Sequence, residues 1–493
     1  MHNEVKVCGT PEGYDAKIIL NELIHQQNSV VHVARDDKRM RAMADALNFF
    51  HPDLEVFEFP SWDCLPYDRV SPNMEISSNR MAILSKFADN AAKNFVVLTT
   101  LNAVLQKVPC RSVLRDYAFK AQVGKNINEK LLREFLVRMG FTKSSTVTEA
   151  GEYAIRGGII DIFPPGYSNP VRLDLFGNVL DGARLFDSET QLTIEKLNEI
   201  ELAPVSEVVI DEFSIKKFRQ SYRAQFGSTL TNDPLYEAVS SGRKYQGLEH
   251  WLPFFYEELD TVFSYFPTAT ITMYNNLDAD LVSRCKLVSD QYEARAYAND
   301  NKPTKDYAYK PIRPSALYLD ETEWAKLIKT RRSMIFNPLP QPLGPNIVDS
   351  GGRIGRNFAP ERQSDNLSLF SSLADHLQKR LKHGPVLIAS YSEGSLERLS
   401  GLLKDEGLHQ PVTVSNWSMV TKNLVYMTVW PLDQGFETSD FTVISEQDIL
   451  GDRLIRRPKK RRPENFLTDA QSLSIGGLVV HIDHGVGRYM GLE

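Results

Sequence analysis

Residues 5–17 read VKVCGTPEGYDAK, and this stretch decides the expected fold of the first part of the chain. A short apolar run leads into two glycines, and the following AKIILNELI has a helical pattern. A strand, a glycine loop and a helix in this order bring backbone N–H groups to the place where a nucleotide phosphate binds. The stretch therefore predicts a nucleotide-binding type of fold.

The loop lacks the side chains that a working phosphate site needs. The pattern G-x-x-x-x-G-K-[S/T] supplies a lysine that neutralises phosphate and a hydroxyl that holds magnesium. With Gly13 as the second glycine, Cys8 stands in the first position, next to Gly9. Tyr14 then replaces the lysine and Asp15 replaces the hydroxyl. The loop has the spacing of a phosphate site without its chemistry.

The charges near the loop also argue against phosphate binding. Glu12 and Asp15 add negative charge where a triphosphate needs positive charge, and a helix N-terminus offers only about half a positive charge. The apolar run ATITMY ends in Asn275 and Asn276 instead of the acidic pair that would position magnesium in a motor. We interpret the loop as a structural turn in a degenerate nucleotide-binding fold, and we expect no cofactor in this chain.

The sequence shows three further patterns. Residues 1–115 alternate apolar runs (30–33, 54–59 and 95–98) with helical patterns, which predicts a parallel sheet covered by helices. Residues 116–205 begin with a helix and continue as strands punctuated by Gly, Pro and Asn, which predicts an antiparallel β module. The aromatic run between Tyr245 and Phe266 is typical of a buried core.

Composition excludes several classes of protein. The 493 residues carry a net charge of −6, so the chain as a whole is not an electrostatic nucleic-acid binder. Its four cysteines are far apart in sequence, without zinc spacing or a disulfide framework. We find no signal peptide and no apolar run of about 18 residues, and we expect a reduced, cytoplasmic protein with no membrane contact.

Five separated motifs carry a family resemblance. The segments are GEYAIRGGIIDIFPPG, LPYDRVSPNMEISSNRMAIL, YQGLEHWLPFFYE, SEQDILGDRL and VVHIDHGVGRYMGL. They resemble the N-terminal part of the bacterial transcription-repair coupling factors, the Mfd family, and they occur along the chain in that family's order. The first three segments also resemble the damage-recognition protein UvrB.

The resemblance implies a multidomain α/β layout in which two degenerate P-loop NTPase-like lobes flank an inserted antiparallel β module. A small α/β domain, a tether and a small β-barrel that grips RNA polymerase come next. The corresponding segments are 1–115 (first lobe), 116–205 (β module), 206–337 (second part of the UvrB-like lobe), 338–364 (extended linker), 365–447 (small α/β domain), 448–472 (basic tether) and 473–493 (start of the barrel).

The family's translocase motor, with its ATP and magnesium, comes later than these segments. We therefore expect the motor to be absent from this chain, and only about twenty barrel residues are present, too few to expect polymerase binding. The alternative is an active UvrB-like ATPase in damage recognition. That protein needs an intact phosphate loop and a long β-hairpin after PYDRVSP, and here Pro72 runs within a few residues into a helical segment.

The β module is the expected docking surface for the repair protein UvrA. In VRLDLFG, alternation places Val171, Leu173 and Leu175 on one face. The opposite face then carries Arg172, Asp174 and Phe176, and an outward phenylalanine near an arginine is typical of an interface anchor. The resemblance implies UvrA contacts at the positions of Arg156, Arg172 and Phe176.

An alternative without a binding role stays open for the face that carries Arg172 and Phe176. Arg172 could form a surface ion pair with Asp174 or Glu152, and Phe176 could pack against the neighbouring lobe.

Two further groups complete the candidates. The tether could contact DNA weakly through its cations, although a solvated connector is the alternative. These cations are Arg456, Arg457, Lys459, Lys460, Arg461 and Arg462. His481, Asp483 and His484 could suggest a metal, but no further ligands are near in sequence, and we expect no metal site.

Overall fold

The computed structural model describes residues 4–488 with internal gaps, at 90–93, 228–232, 301–308, 343, 364–367, 406–410, 452–477 and 482–484. The strands are β1 (Glu4–Cys8), β2 (Val30–Ala34), β3 (Val56–Phe59), β4 (Val96–Thr100), β5 (Val108–Pro109), β6 (Phe119–Gln122), β7 (Thr142–Lys143), β8 (Glu152–Arg156), β9 (Ile159–Ile162), β10 (Val171–Phe176), β11 (Val179–Phe186), β12 (Thr193–Leu197), β13 (Glu199–Leu202), β14 (Leu259–Asp260), β15 (Thr270–Tyr274), β16 (Ser333–Asn337), β17 (Ile347–Asp349), β18 (Arg353–Ile354), β19 (Val386–Ser390), β20 (Val412–Thr413), β21 (Val425–Val429), β22 (Phe436–Glu437), β23 (Thr442–Ser445), β24 (Leu478–His481) and β25 (Gly485–Arg488).

The α-helices are α1 (Tyr14–Gln26), α2 (Asp37–Phe50), α3 (Met74–Ala88), α4 (Leu101–Leu105), α5 (Arg111–Asp116), α6 (Glu129–Arg138), α7 (Glu212–Phe226), α8 (Pro234–Ser240), α9 (Leu277–Asp300), α10 (Pro314–Leu317), α11 (Glu321–Lys329), α12 (Ala359–Arg362), α13 (Leu369–Leu381), α14 (Glu393–Asp405) and α15 (Glu446–Leu450). The helix predicted from DKRMRAMADALNFF is α2, and its preceding residue Asp36 caps it by accepting from the Arg39 N–H at 2.8 Å.

The first sheet is parallel and has the order β17-β1-β16-β15-β2-β4-β3. Its strands come from two distant parts of the chain, 4–100 and 270–349, which together form one sheet. Val31 and Val33 of β2 belong to one helix-covered core, and Val30 and Ala34 belong to the core on the other face. The predicted parallel sheet with helices on both faces is confirmed.

The β module is a second sheet, of order β12-β11-β10-β9-β8-β7, which is antiparallel except for the β7–β8 pair. Its inner face packs on α6 through Leu132, Phe135 and Leu136. A buried ion pair joins the segment directly after the module to the first sheet's helical layer, because Arg80 Nε of α3 donates to Glu207 Oε1 at 2.6 Å. The predicted antiparallel module is confirmed.

The aromatic run lies in the core, as predicted. Trp251, Phe255 and Phe263 are fully buried, and Tyr256 donates its hydroxyl to the Glu207 carbonyl at 2.7 Å. Two short 3-10 helices, Leu248–Phe254 and Val262–Tyr265, hold much of this run.

The Pro- and Gly-rich stretch 338–364 is more ordered than a bare linker. It supplies β17 to one edge of the first sheet, beside β1, and β18 to one edge of a third sheet, beside β22. This third sheet has the order β18-β22-β23-β19-β21-β20 and a parallel centre. One hydrophobic core contains residues of both sheets, including Val7 and Met334 of the first sheet and Leu387 and Val443 of the third. The stretch therefore connects two sheets that pack together.

Residues 451–493 form a separate unit. Within it the described strands β24 and β25 pair as an antiparallel hairpin. The start of a β unit is confirmed, and among the described residues no barrel closes. No helix in the described ranges is both long and apolar enough to cross a bilayer.

Candidate functional site

The glycine loop has the predicted strand, loop and helix geometry. It connects the end of β1 at Cys8 to the start of α1 at Tyr14. Gly9 and Gly13 have φ angles of +67° and +88°, which L side chains rarely adopt. Both glycines therefore stand where any other residue would strain the backbone.

A carboxylate of the chain itself lies at the N-terminus of α1. Asp15 Oδ1 accepts from the backbone N–H groups of Gly13 at 2.9 Å and Ala16 at 3.0 Å. Because the partial positive charge of a helix N-terminus favours an anion, this side chain uses donors that a phosphate would need. Burial raises the pKa of Asp15 to about 6.

Arg39 is a residue that sequence reasoning missed. Its guanidinium donates to Asp15 Oδ2 at 3.0 Å and also pairs with Glu12. The loop's two carboxylates are therefore not an uncompensated negative charge, as their sequence suggested. Since α2 brings the arginine from 24 positions away, spacing within the loop could not reveal the pairing.

The loop is covered by the segment that follows β17. Ser350 Oγ donates to the Gly9 carbonyl at 2.6 Å, and Tyr14 donates its hydroxyl to the Ser350 carbonyl at 3.0 Å. A Cβ added to Gly352 would lie 2.4 Å from the Gly9 carbonyl oxygen and 2.5 Å from the Tyr14 ring. The Ser350–Gly352 backbone thus lies in direct contact with the loop.

The third sheet closes the same region from another side. The Tyr14 ring lies 5.7 Å from the ring centre of Phe436 and 6.2 Å from that of Phe441. The Lys17 ammonium lies 4.8 Å from the ring centre of Trp417, and it also faces Phe441 at 5.5 Å. The turn with the glycine spacing of a phosphate site therefore lies in a contact with the third sheet.

The outer face of the β module holds the second group of candidates. Val171 and Leu173 are fully buried and Phe176 is 82% exposed, so the predicted alternation along β10 is confirmed. A register shift between Asp174 and Leu175 marks a β-bulge just before Phe176. The alternative in which Phe176 packs against a neighbouring lobe is wrong.

Arg172 is held firmly on this face. Its Nε and Nη2 donate to the two carboxylate oxygens of Asp161 at 2.6 and 2.9 Å, and Nη2 also donates to Gln191 at 3.1 Å. Its guanidinium lies 4.4 Å from the ring centre of Phe186. The hydrogen bonds that Asp161 accepts from Arg172 raise the pKa of the arginine.

The alternative in which Arg172 pairs with Asp174 or Glu152 is therefore wrong, because its partner is Asp161. Asp174 pairs with Arg184 at 3.0 Å, and Glu152 accepts from the backbone N–H of Thr148 at 2.9 Å. The physical reason is register, because the antiparallel β9–β10 pairing places Asp161 directly opposite Arg172.

Arg156 lies at the end of β8 and is exposed. It donates to the Ser145 carbonyl at 2.5 Å and stands opposite Ile159 of β9. Ile159 is in turn opposite Asp174 and is 38% exposed, so it continues the face between β8 and β10. Sequence reasoning missed Ile159, and only the strand pairing reveals it.

Comparison with known proteins connects these two regions. The UvrB interaction domain matches residues 119–208, and the MFD D3 domain matches residues 379–449. The chain is 27% identical to a transcription-repair-coupling factor of Rickettsia bellii over 468 residues, which covers 95% of the chain and 40% of the relative. It is 29% and 28% identical to those of Haemophilus influenzae and Escherichia coli, with 99% of the chain and 42% of each relative covered.

The chain is similar over nearly its whole length to transcription-repair-coupling factors. It spans about 40% of the length of the curated relatives it matches. The match to the UvrB interaction domain contains β8 to β13, and with them Arg156, Arg172 and Phe176. The match to the MFD D3 domain contains most of the third sheet, whose aromatic residues cover the glycine loop.

Most of the remaining candidate residues lie outside the part of the chain that the structure describes. The tether cations Arg456, Arg457, Lys459, Lys460, Arg461 and Arg462 lie outside the described residues, as do Asp483 and His484. His481 ends β24. In the described parts of the chain, no three His, Cys, Asp or Glu side chains come together in a way that could hold a metal ion.

Proposed function

We propose that this chain is the recruitment part of a transcription-repair coupling factor and docks UvrA on the outer face of β8 to β10. The observation that carries the proposal is Phe176, a large apolar side chain left 82% exposed at the end of an ordered strand. It shares the face with Arg172 and Arg156. Aromatic and arginine side chains are the residue types that dominate protein interfaces energetically.

The proposal includes a role as scaffold without nucleotide chemistry. The first sheet would descend from a P-loop NTPase-like fold, whose loop now binds Asp15 and Ser350 instead of phosphate. Nothing in the described site favours the alternative, an active UvrB-like ATPase. The described site does not account for contact with RNA polymerase, for ATP-driven movement on DNA or for a DNA contact of the tether. In this proposal, those functions would belong to regions other than the described site.

The test is a calorimetric titration of UvrA into the chain and its Phe176→Ala variant. A phenylalanine buries about 150–250 Å², and interface anchors lose about 2 kcal/mol or more on truncation. We expect roughly 30-fold weaker binding, because 1.4 kcal/mol corresponds to tenfold. Stability should change by less than about 0.5 kcal/mol, since the side chain is exposed.

The matched control is Phe213→Ala, on α7. Phe213 is also exposed, at 62%, but it lies on a helix outside the β sheet of the module. Its variant should bind UvrA as the unmodified chain does. Equal affinity of the Phe176→Ala variant and the unmodified chain would remove this face from the docking site.

A further inference from the structure

A small cleft lies where α4, α9, α10 and the start of α11 meet. Its volume is about 70 Å³. Leu105, Val288 and Leu319 form apolar walls, and the polar lining includes Arg284 of α9 and Tyr318, which follows α10. Among the described residues, none of the glycine loop or of the β module lines this cleft.

Arg284 is a partly buried cation without a counter-ion. Its Nε is shielded from solvent and has no hydrogen-bond partner among the described residues. The groups that act on its charge are Tyr318, Cys285 and Cys64, and none of these three is a carboxylate. Burial lowers the pKa of Arg284, but a guanidinium stays protonated at neutral pH. A charge in such a place is costly unless something compensates it.

The groups near Arg284 do not supply the missing negative charge. Burial raises the pKa of all three, that of Cys64 to about 12, so each is neutral at neutral pH. Asp320 also lines the cleft, but its Oδ1 accepts the Glu323 N–H at 2.8 Å as the cap of α11. The carboxylate at the rim is therefore used by a helix and not by the arginine.

Two further buried donors beside Tyr318 have no partner in the described part of the chain. Gln106 is 2% exposed and pairs with Tyr318 as an antiparallel bridge, and its Nε2 donates to no acceptor. Tyr67 is fully buried with its ring centre 6.3 Å from that of Tyr318, and its hydroxyl is also unpaired. Buried donors in native proteins are nearly always satisfied. Together with Arg284 Nε, these groups call for an acceptor.

The backbone around Tyr318 is fixed before any ligand binds. The Lys107 N–H donates to the Leu317 carbonyl and the Leu319 N–H donates to the Leu105 carbonyl, both at 2.8 Å. These bonds hold the segment after α10 against the end of α4. Because the site is preformed, a ligand there costs little conformational entropy.

The donor set of the cleft fits a small oxyanion. Guanidinium, amide and phenol groups all donate, and a guanidinium can bind phosphate oxygens at two points. Sites that enclose a cofactor-sized ligand measure about 300–1,000 Å³. A cleft of about 70 Å³ therefore admits one small anion and not a nucleotide.

We propose that the cleft at Arg284 binds a small free oxyanion of the phosphate type, with the Tyr318 hydroxyl as a second donor. The anion neutralises Arg284 and thereby ties α9 to the segment after α10. This site lies outside the β module and does not depend on UvrA.

The test is a calorimetric titration of inorganic phosphate into the full chain and its Arg284→Met variant, at constant pH and ionic strength. We expect saturable binding to the unmodified chain and at least tenfold weaker binding to the variant, because a charge-assisted hydrogen bond is worth more than tenfold in affinity. Arg243→Met is the matched control. It removes the same charge from an exposed arginine outside the cleft, so its phosphate affinity should equal that of the unmodified chain.

Urea unfolding with and without phosphate supplies a second measurement. A ligand of the folded state raises the urea midpoint, whereas the general effect of phosphate as a salt acts on all variants alike. Phosphate should therefore raise the midpoint of the unmodified chain more than that of Arg284→Met. Tyr318→Phe keeps the ring and removes only the hydroxyl, and it should bind phosphate more weakly than the unmodified chain.

Three outcomes would overturn the proposal. Equal affinity of Arg284→Met and the unmodified chain would place the anion elsewhere. No binding heat together with equal midpoint shifts would mean that the cleft holds water only. Adenosine monophosphate separates a free anion from the phosphate group of a larger molecule, and we expect it not to bind in the cleft. Binding of adenosine monophosphate tighter than that of phosphate, and lost in Arg284→Met, would contradict a free anion.

Discussion

Adding the side chains that a phosphate loop needs should not give this chain nucleotide binding. The perturbation is Tyr14→Lys with Asp15→Ser, which supplies the lysine and hydroxyl that the glycine spacing calls for. If the missing side chains alone prevented binding, this variant would bind nucleotide. Because the Ser350–Gly352 backbone contacts the loop directly, we expect the pocket to stay filled.

The magnitude of the effect on stability follows from the contacts of Tyr14. Its hydroxyl bond to the Ser350 carbonyl contributes about 1 kcal/mol. Its ring pairs with Phe436 and Phe441 contribute about 0.5–1.5 kcal/mol each. The double variant should therefore unfold about 2–4 kcal/mol more easily. Arg39 keeps one carboxylate partner, Glu12, so the loss of Asp15 adds less than a stranded charge would.

The assay is calorimetric titration with Mg-ATP, combined with urea unfolding of the same samples. We expect no binding at micromolar nucleotide and a lower urea midpoint. Tyr14→Phe is the matched control, because it keeps the ring and should lose only about 1 kcal/mol. A micromolar dissociation constant for Mg-ATP in the double variant would refute the filled-pocket argument.

Three other substitutions are tested by urea unfolding. Gly352→Ala should destabilise the chain by about 1–3 kcal/mol, because the new Cβ would clash with the Gly9 carbonyl; an unchanged midpoint would contradict the close contact. Arg80→Met should cost about 3–5 kcal/mol, because it strands the buried Glu207 carboxylate, and Arg80→Met with Glu207→Gln should recover part of that loss. Burial raises the pKa of Asp15 to about 6, so its contribution is complete below pH 4 and is lost as pH rises towards 6. Relative to Asp15→Asn, the unmodified chain should lose about 2–3 kcal/mol over that range, and a pH-independent difference would contradict the assignment.

The sequence was informative wherever the chemistry is local. The strand, loop and helix around Gly13 follow from glycine placement and helical spacing, and helix α2 follows from its helical spacing. Alternation along β10 likewise predicted a buried Leu173 and an exposed Phe176. In each case the side-chain periodicity of one element determines the outcome.

Contacts between distant segments could not be predicted in the same way. Ser350 reaches Gly9 across 341 positions, and only the pairing of β17 with β1 brings them together. The alternative considered for Arg172 was an ion pair with Asp174 or Glu152, but cross-strand register presents Asp161 instead. A single sequence shows which side chains share a strand face, and it does not show which neighbouring strand supplies the partner.

The two candidate regions make sense together as parts of a scaffold. A loop that binds and releases nucleotide must leave its pocket open, whereas this loop holds an internal carboxylate and packs against a third sheet. The buried pair of Arg80 and Glu207 joins the segment that directly follows the β module to the helical layer of the first sheet. Since such a pair adds little net stability compared with apolar packing, its best physical justification is a specific geometry. A docking face gains from that arrangement, because a partner bound at Phe176 then meets a surface already placed relative to the rest of the chain.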